Sequence, residues 1–293
     1  MSKQNRFFQN TIAMVYDFDG TLSPQPMQEY TVLPKIRVKP KEFWREVSKE
    51  SEETVSESML VYMRLLLQKA NEAKIHIGRK DLTEMGKAIE YFHGVGQWFA
   101  RINKFVKKEG KGRIKIKHYI VSAGLKEILE GTSIMKQFAK IYASEYHFDH
   151  DDRAIFPKLL ITDTAKTQYL FRINKGKEDL GESINDHMPE SLRPIPFSNM
   201  IYIGDGITDV PSMAVTKSSG GNTIAVYKKN SSKGKNVCKK LLEVGRVHFI
   251  AQADYGPGSD LDKRVKILLR SVISNIEYRR ELFDCRRVHR MTP

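Results

Sequence analysis

The chain has 293 residues, enough for one large core or for a domain that carries a sizeable insertion. Hydrophobic residues make up 40% and charged residues 29%; no apolar stretch reaches the length of a membrane span or a secretory leader, so a cytoplasmic globular protein with no membrane partner is expected. The two cysteines, Cys238 and Cys285, exclude a disulfide framework and a CxxC metal site, and the formal charge of +14 favours anions as partners without a long basic block to point at one.

The first apolar run, Thr11 to Tyr16, stops abruptly at Asp17 and reads as a buried strand. Residues 23–40 hold Pro24, Pro26, Pro34 and Pro40, which excludes a regular helix there. Val55, Met59, Tyr62, Met63, Leu66, Leu67 and Ala70 then recur at steps of three and four, the spacing of one helical stripe. Its methionines and tyrosine read as packing. A second helical run covers about Asp81 to Phe92, and Glu29, Tyr30 and Arg37 ahead of both read as loop surface rather than as a specificity set.

From there helix and strand alternate. Val95, Trp98, Phe99, Ile102, Phe105 and Val106 mark an amphipathic helix, and a β-like run follows from Ile114 through Val121 into Ser122. The densest basic cluster, Lys104, Lys107, Lys108, Lys111, Arg113, Lys115 and Lys117, lies on that helix end and the strand after it, a weak nucleic-acid signal. A helix is expected after Gly124. Ile141 to Phe148 and Ala154 to Ile161 read as strands around an acidic turn, and a helix spans about Ala165 to Ile173. After a polar loop come strand Met200–Ile203, a helix from Asp209, strand Thr223–Val226, a helix near Gly234–Val244, strand Val247–Ala251 and a closing amphipathic helix through Ile276. Repeated strand–helix units of this kind predict an α/β fold, a parallel sheet with helices on both faces. The all-helical stretch before residue 92 breaks the rhythm and reads as an insertion.

The sharpest chemical feature is Asp17-Phe18-Asp19-Gly20-Thr21-Leu22, directly behind the first strand. Residues two apart on an extended chain point the same way, so both carboxylates face one site at the strand's C-terminal end, where open α/β sheets bind ligands. Gly20 permits the sharp turn that follows and Thr21 can brace it. An EF-hand loop is excluded, because its glycine would be sixth and its twelfth residue Glu, whereas here Gly is fourth and the twelfth is Gln28. The second feature, Gly204-Asp205-Gly206-Ile207-Thr208-Asp209, also follows an apolar strand, and the two acidic loops together suit a hard cation that takes oxygen ligands. Asp209 alone would be an ordinary helix cap. Ser122, with the backbone N–H groups of Ala123 and Gly124, has the chemistry to hold phosphoryl oxygens, and Lys166 opens a helix where its charge opposes the dipole, which suggests another reason for it; each taken singly reads as structural.

In that order DFDGTL, Ser122 in IVSAG, Lys166 in TAKTQ and GDGITD resemble the four motifs of the haloacid dehalogenase-like superfamily, over roughly residues 12–215. The resemblance implies a Rossmann-like core of residues 1–25 and 92–293 with an inserted helical type-one cap at 26–91, like that of phosphoserine phosphatase-like members. It further implies Asp17 as nucleophile, Asp19 as acid/base, Ser122 and Lys166 on phosphate, and Mg²⁺ held by Asp17, Asp19 (through its carbonyl), Asp205 and Asp209, with Asp209 supporting either the metal or Lys166. Gly20 stands where phosphoserine phosphatases usually show a small hydroxyl residue, and Thr208 where they show Asn; these departures bear on the substrate rather than the reaction. The expected activity is hydrolysis of a small phosphorylated metabolite. Phosphotransfer at the same site, and a basic nucleic-acid-binding or scaffolding protein on an inactive hydrolase fold, are the alternatives.

Overall fold

The computed structural model describes residues 7–291. The first strand, β1 (Thr11–Tyr16), is apolar throughout, and side chains alternate across a strand, so it feeds two separate cores. Ile12, Met14 and Tyr16 pack on one side of the sheet; Ala13 and Val15 pack on the other. The same alternation recurs in β5 (Met200–Gly204), where Ile201 and Ile203 join the first core and Met200 and Tyr202 the second.

The sheet has seven strands in the order β4-β3-β2-β1-β5-β6-β7, with β2 Lys115–Leu125, β3 Lys140–Phe148, β4 Ala154–Leu159, β6 Asn222–Tyr227 and β7 Phe249–Gln252. All neighbouring pairs are parallel except β3–β4. That pair is a hairpin, because the short acidic turn at 149–153 is too brief for the crossover a parallel partner needs. Helices α6 (Val95–Glu109) and α11 (Asp260–Met291) contribute Trp98, Phe99, Ile102, Leu261, Val265 and Leu269 to the first core. On the opposite face, α8 (Lys166–Lys175), α9 (Val210–Ser218) and α10 (Ser232–Glu243) contribute Tyr169, Leu170, Met213, Cys238 and Leu241. The α/β sheet with helices on both faces is therefore as expected.

β1 is central, with β2 on one side and β5 on the other, so the chain reverses its winding direction there. A crevice forms at such a switch point, at the carboxyl ends of the strands. The last residue of β1 is also pinned. Trp98 Nε1 donates to Tyr16 Oη at 2.9 Å, Tyr16 Oη meets His118 Nδ1 at 3.1 Å, and His118 Nε2 meets Asn103 Oδ1 at 2.8 Å. Burial pushes the His118 imidazole down to about 3, so it is neutral and completes a satisfied polar chain immediately before Asp17.

Between β1 and β2 lie α1 (Met27–Tyr30), α2 (Val32–Lys35), α3 (Pro40–Thr54), α4 (Ser58–Glu72) and α5 (Arg79–Met85). The outgoing and returning segments meet where Phe92 N donates to Leu22 O at 3.0 Å. The prolines limit α1 and α2 to single turns. The single stripe expected from Val55 onward is interrupted: Val55 caps α3 in the left-handed region (φ 52°) and is 93% exposed, so α4 starts afresh at Ser58. A β-branched residue is disfavoured in that conformation, which is why no helical reading of the sequence anticipates the break. The expected helix after Gly124 is a short one, α7 (Lys126–Glu130). The basic cluster at Lys107–Lys117 lies where β2 begins, at the end of the sheet away from the crevice. Among the described residues no helix is long and apolar enough to cross a membrane.

Candidate active site

Asp17 leaves β1 with its N–H still donating to Ile203 O at 2.9 Å, so the parallel ladder carries its carboxylate to the carboxyl end of the sheet. The chain then turns through Gly20 at φ +78°. A Cβ at Gly20 would lie 2.1 Å from Asp205 Oδ2, so the glycine both makes the turn and lets the second acidic loop approach the first. A hydroxyl residue does not fit there, which gives a steric reason for the sequence departure. Thr21 Oγ1 donates to Asp17 Oδ2 at a long 3.4 Å, and Asp19 Oδ1 accepts the N–H of Met27 at 2.9 Å, which fixes that carboxyl at the start of α1.

Lys166 joins the motifs. It is 1% exposed, and its Nζ donates to Asp17 Oδ1 at 2.9 Å and to Asp209 Oδ1 at 2.7 Å. Asp209 is fully enclosed: Oδ1 also accepts from Tyr202 Oη at 2.7 Å, and Oδ2 accepts from Asp205 N at 3.1 Å. Gly204 leaves room for this, since a Cβ there would sit 2.2 Å from Asp209 Oδ2. Oxygens of Asp17, Asp205 and Asp209 all lie within 4.8 Å of one another, an oxygen-only donor set at about the separation a shared hard cation requires. Asp209 accepts three hydrogen bonds and Asp17 two, that from Thr21 being long, so Asp205 and then Asp17 are the freer ligands. Asp19's carboxyl stands outside this group.

Ser122 is buried, and its Oγ accepts the N–H of Gly124 at 3.0 Å. Ser122 and Ala123 line the cleft; Gly124 does not, because its N–H is taken by that bond and its α-carbon packs against Met27. The cleft encloses about 460 Å³, with Asp17, Asp19, Ser122, Lys166 and Asp205 at its floor. Its walls are Glu57 before α4, Ser58 and Met59 in the first turn of α4, Thr162, Asp163 and Thr164 before α8, and Thr208; of these the sequence singles out only Met59, as packing, and Thr208, as a motif departure. Glu29, Tyr30 and Arg37 are not among them, and Glu29 instead accepts Trp44 Nε1 at 2.9 Å.

The electrostatics follow from crowding acids in a dry place. Burial, then the pull of Lys166 against the push of Asp209, leaves Asp17 raised to about 6. Burial with Asp17 and Asp209 as neighbours raises Asp205 to about 8. Burial and Asp17 hold Asp19 well above the usual carboxyl range. Lys166 loses hydration on burial but gains more from Asp17 and Asp209, so it stays charged. Acids raised in this way bind more protons folded than unfolded. Their contribution to metal-free stability is full below about pH 4 and is lost as pH rises through about 6 and about 8.

Lys166→Met removes the one cation from this group. In EDTA, urea unfolding near pH 8 is expected to show a loss of about 3–5 kcal/mol, because two buried carboxylates lose their partner. Near pH 5 the loss is smaller, since Asp17 then carries a proton. Equal losses at the two pH values would contradict this electrostatic picture.

Residues 14–214 match the family of haloacid dehalogenase-like hydrolases. An uncharacterised protein of Borreliella burgdorferi is 31% identical over 277 residues, covering 86% of this chain and 94% of that one. Among solved structures, a phospho-aspartyl intermediate analogue of a phosphoserine phosphatase superposes with a TM-score of 0.55 at 15% identity, over 88% of this chain and 99% of that one. A probable phosphoserine phosphatase of Vibrio cholerae gives 0.58 at 12%, over 94% of this chain and 69% of that one. At such identities these structural likenesses concern the fold alone.

Proposed function

We propose, for a chain that belongs to the haloacid dehalogenase-like hydrolase family, that it hydrolyses a phosphate monoester of a small metabolite with the help of Mg²⁺ and through an aspartyl-phosphate intermediate. The observation that carries this reading is Lys166 bridging Asp17 and Asp209 beside Asp205, with Asp19 on the same cleft floor. Five groups from three separate chain segments converge there. The phosphoserine phosphatases among its structural neighbours suit the reading.

In the first step an Asp17 oxygen bonds to phosphorus as the ester P–O bond breaks, and Asp19 gives its proton to the departing alkoxide, releasing an alcohol. In the second, Asp19, now ionised, takes a proton from water as the water oxygen attacks phosphorus; phosphate leaves and Asp17 is free again. The raised Asp19 suits the first role, and the Met27 N–H bond stabilises the ionised form needed in the second. Lys166 and Ser122 neutralise and orient phosphoryl oxygens. Asp17 and Asp205 would hold Mg²⁺, with the Asp19 carbonyl as a third protein ligand, while Asp209 anchors Lys166. When bound, the ion lessens the repulsion between an anionic ester and an anionic nucleophile. In this reading residues 26–91 form the cap, whose α3–α4 turn overhangs a core made of 1–25 and 92–293 and shields the reaction from bulk water.

The test is release of phosphate from p-nitrophenyl phosphate with Mg²⁺ and with EDTA. Turnover with Mg²⁺ that EDTA abolishes and excess Mg²⁺ restores is the expected result; full activity in EDTA would remove the metal from the account.

A further inference from the structure

Beyond the reaction type, the walls of the cleft carry information about the alcohol that leaves. We propose, resting on the phosphatase reading above, that this alcohol bears a cationic group, an amine or quaternary ammonium, received by Glu57 and Asp163 at the cleft mouth. The charged side chains lining the cleft divide into two sets. The floor set is Asp17, Asp19, Lys166 and Asp205, and its single cation is buried and shared between Asp17 and Asp209. The wall set is Glu57 and Asp163. Both are exposed, and among the described residues neither side chain forms an ion pair or a hydrogen bond.

That arrangement runs against the rest of the molecule. In a chain carrying fourteen more basic than acidic residues, the mouth of this acid-lined cleft shows two unpaired carboxylates and no lysine, arginine or histidine. Burial raises the Asp163 carboxyl, the buried Lys166 pulls it down, and Asp209 and Glu57 push it up, so Glu57 and Asp163 lie within electrostatic reach of each other. A dianionic phosphate ester gains nothing from more negative charge at the entrance unless its other end is positive, in which case the same pair steers and seats it. The remaining lining fits a short amino alcohol. Ser58, Thr162, Thr164 and Thr208 offer hydroxyls, and Met59 offers a polarisable thioether to methylenes or N-methyls. A substrate carboxylate at the same place would meet Glu57 and Asp163 with no cation to receive it. The arrangement therefore favours amino-alcohol phosphates over phosphoserine.

The test compares kcat/KM for ethanolamine phosphate, choline phosphate, neutral propyl phosphate and phosphoserine, with Mg²⁺ present, for the wild type and the double variant Glu57→Gln, Asp163→Asn. The wild type is expected to favour the cationic esters over propyl phosphate by about tenfold, as two partly exposed ion pairs would give. The preference should shrink with added salt and fall to about unity in the double variant. Equal use of cationic and neutral esters, a preference that survives the double substitution, or phosphoserine as the best substrate would overturn the inference. Wild-type hydrolysis of p-nitrophenyl phosphate alongside any of those results would leave the phosphatase reading standing, whereas no Mg²⁺-dependent hydrolysis of any of these esters removes both.

Discussion

Asp17→Asn is expected to lower turnover of p-nitrophenyl phosphate by about 10⁴-fold or more while leaving the protein folded. An amide of the same shape has no charged oxygen with which to attack phosphorus, and nothing else on the cleft floor stands at the end of β1 to replace it. The fold should tolerate the change well. Asp17 is a buried acid in a crowd of acids, and Lys166 keeps Asp209 as its partner. Thermal unfolding in EDTA should therefore show stability equal to or above the wild type at about pH 8, where the lost charge was most costly. Inactivity with an undiminished melting temperature separates a chemical role from a structural one; retained activity would end the nucleophile assignment.

Asp19→Asn is expected to cost about 10²–10⁴ in kcat for alkyl phosphates, the usual worth of a positioned acid/base. The loss should be unequal between substrates. An alkoxide leaves poorly without a proton, so alkyl esters suffer in the first step, whereas nitrophenolate leaves readily unaided. The second step needs Asp19 as a base whatever the leaving group. With p-nitrophenyl phosphate the variant should then show a burst of nitrophenol followed by slow turnover, as the phosphorylated enzyme accumulates. Stopped-flow absorbance measures this directly, and uniform slowing across leaving groups with no burst would mean that Asp19 serves binding rather than proton transfer.

The parts of the site legible in the sequence are those whose signal is local. An apolar run that ends in an acid–glycine loop can be read from a dozen residues, so the strands β1 and β5 and the acidic loops that follow them, at Asp17 and Asp205, were legible in the sequence. Lys166 and Ser122 carry weaker local signals and gained meaning only as members of an ordered set. Tyr202 gave the faintest hint, a phenol inside an aliphatic strand, and its hydrogen bond to Asp209 depends on both lying on the α8 side of the sheet. Glu57 and Asp163 were not legible at all. Bringing both to one cleft requires α3 to end at Val55 in a conformation that its side chain disfavours, and then requires the turn to lie near the start of α8. The strands β3 and β4 and the short turn between them were all legible, and the brevity of that turn is what makes the pair the antiparallel edge of a sheet expected to be parallel. The use of Gly124 N–H by Ser122 was likewise hidden, because a backbone donor's partner depends on a side-chain rotamer.

The central claim is that Asp17 becomes covalently phosphorylated during turnover. Mixing the enzyme with p-nitrophenyl phosphate and Mg²⁺, quenching in acid within the first turnovers and mapping the peptides by mass spectrometry should find one phosphoryl group on the segment that contains Asp17, with none in the Asp17→Asn protein. Steady release of phosphate by an enzyme whose Asp17 peptide stays unmodified, or a phosphoryl group mapped to another residue, would contradict it.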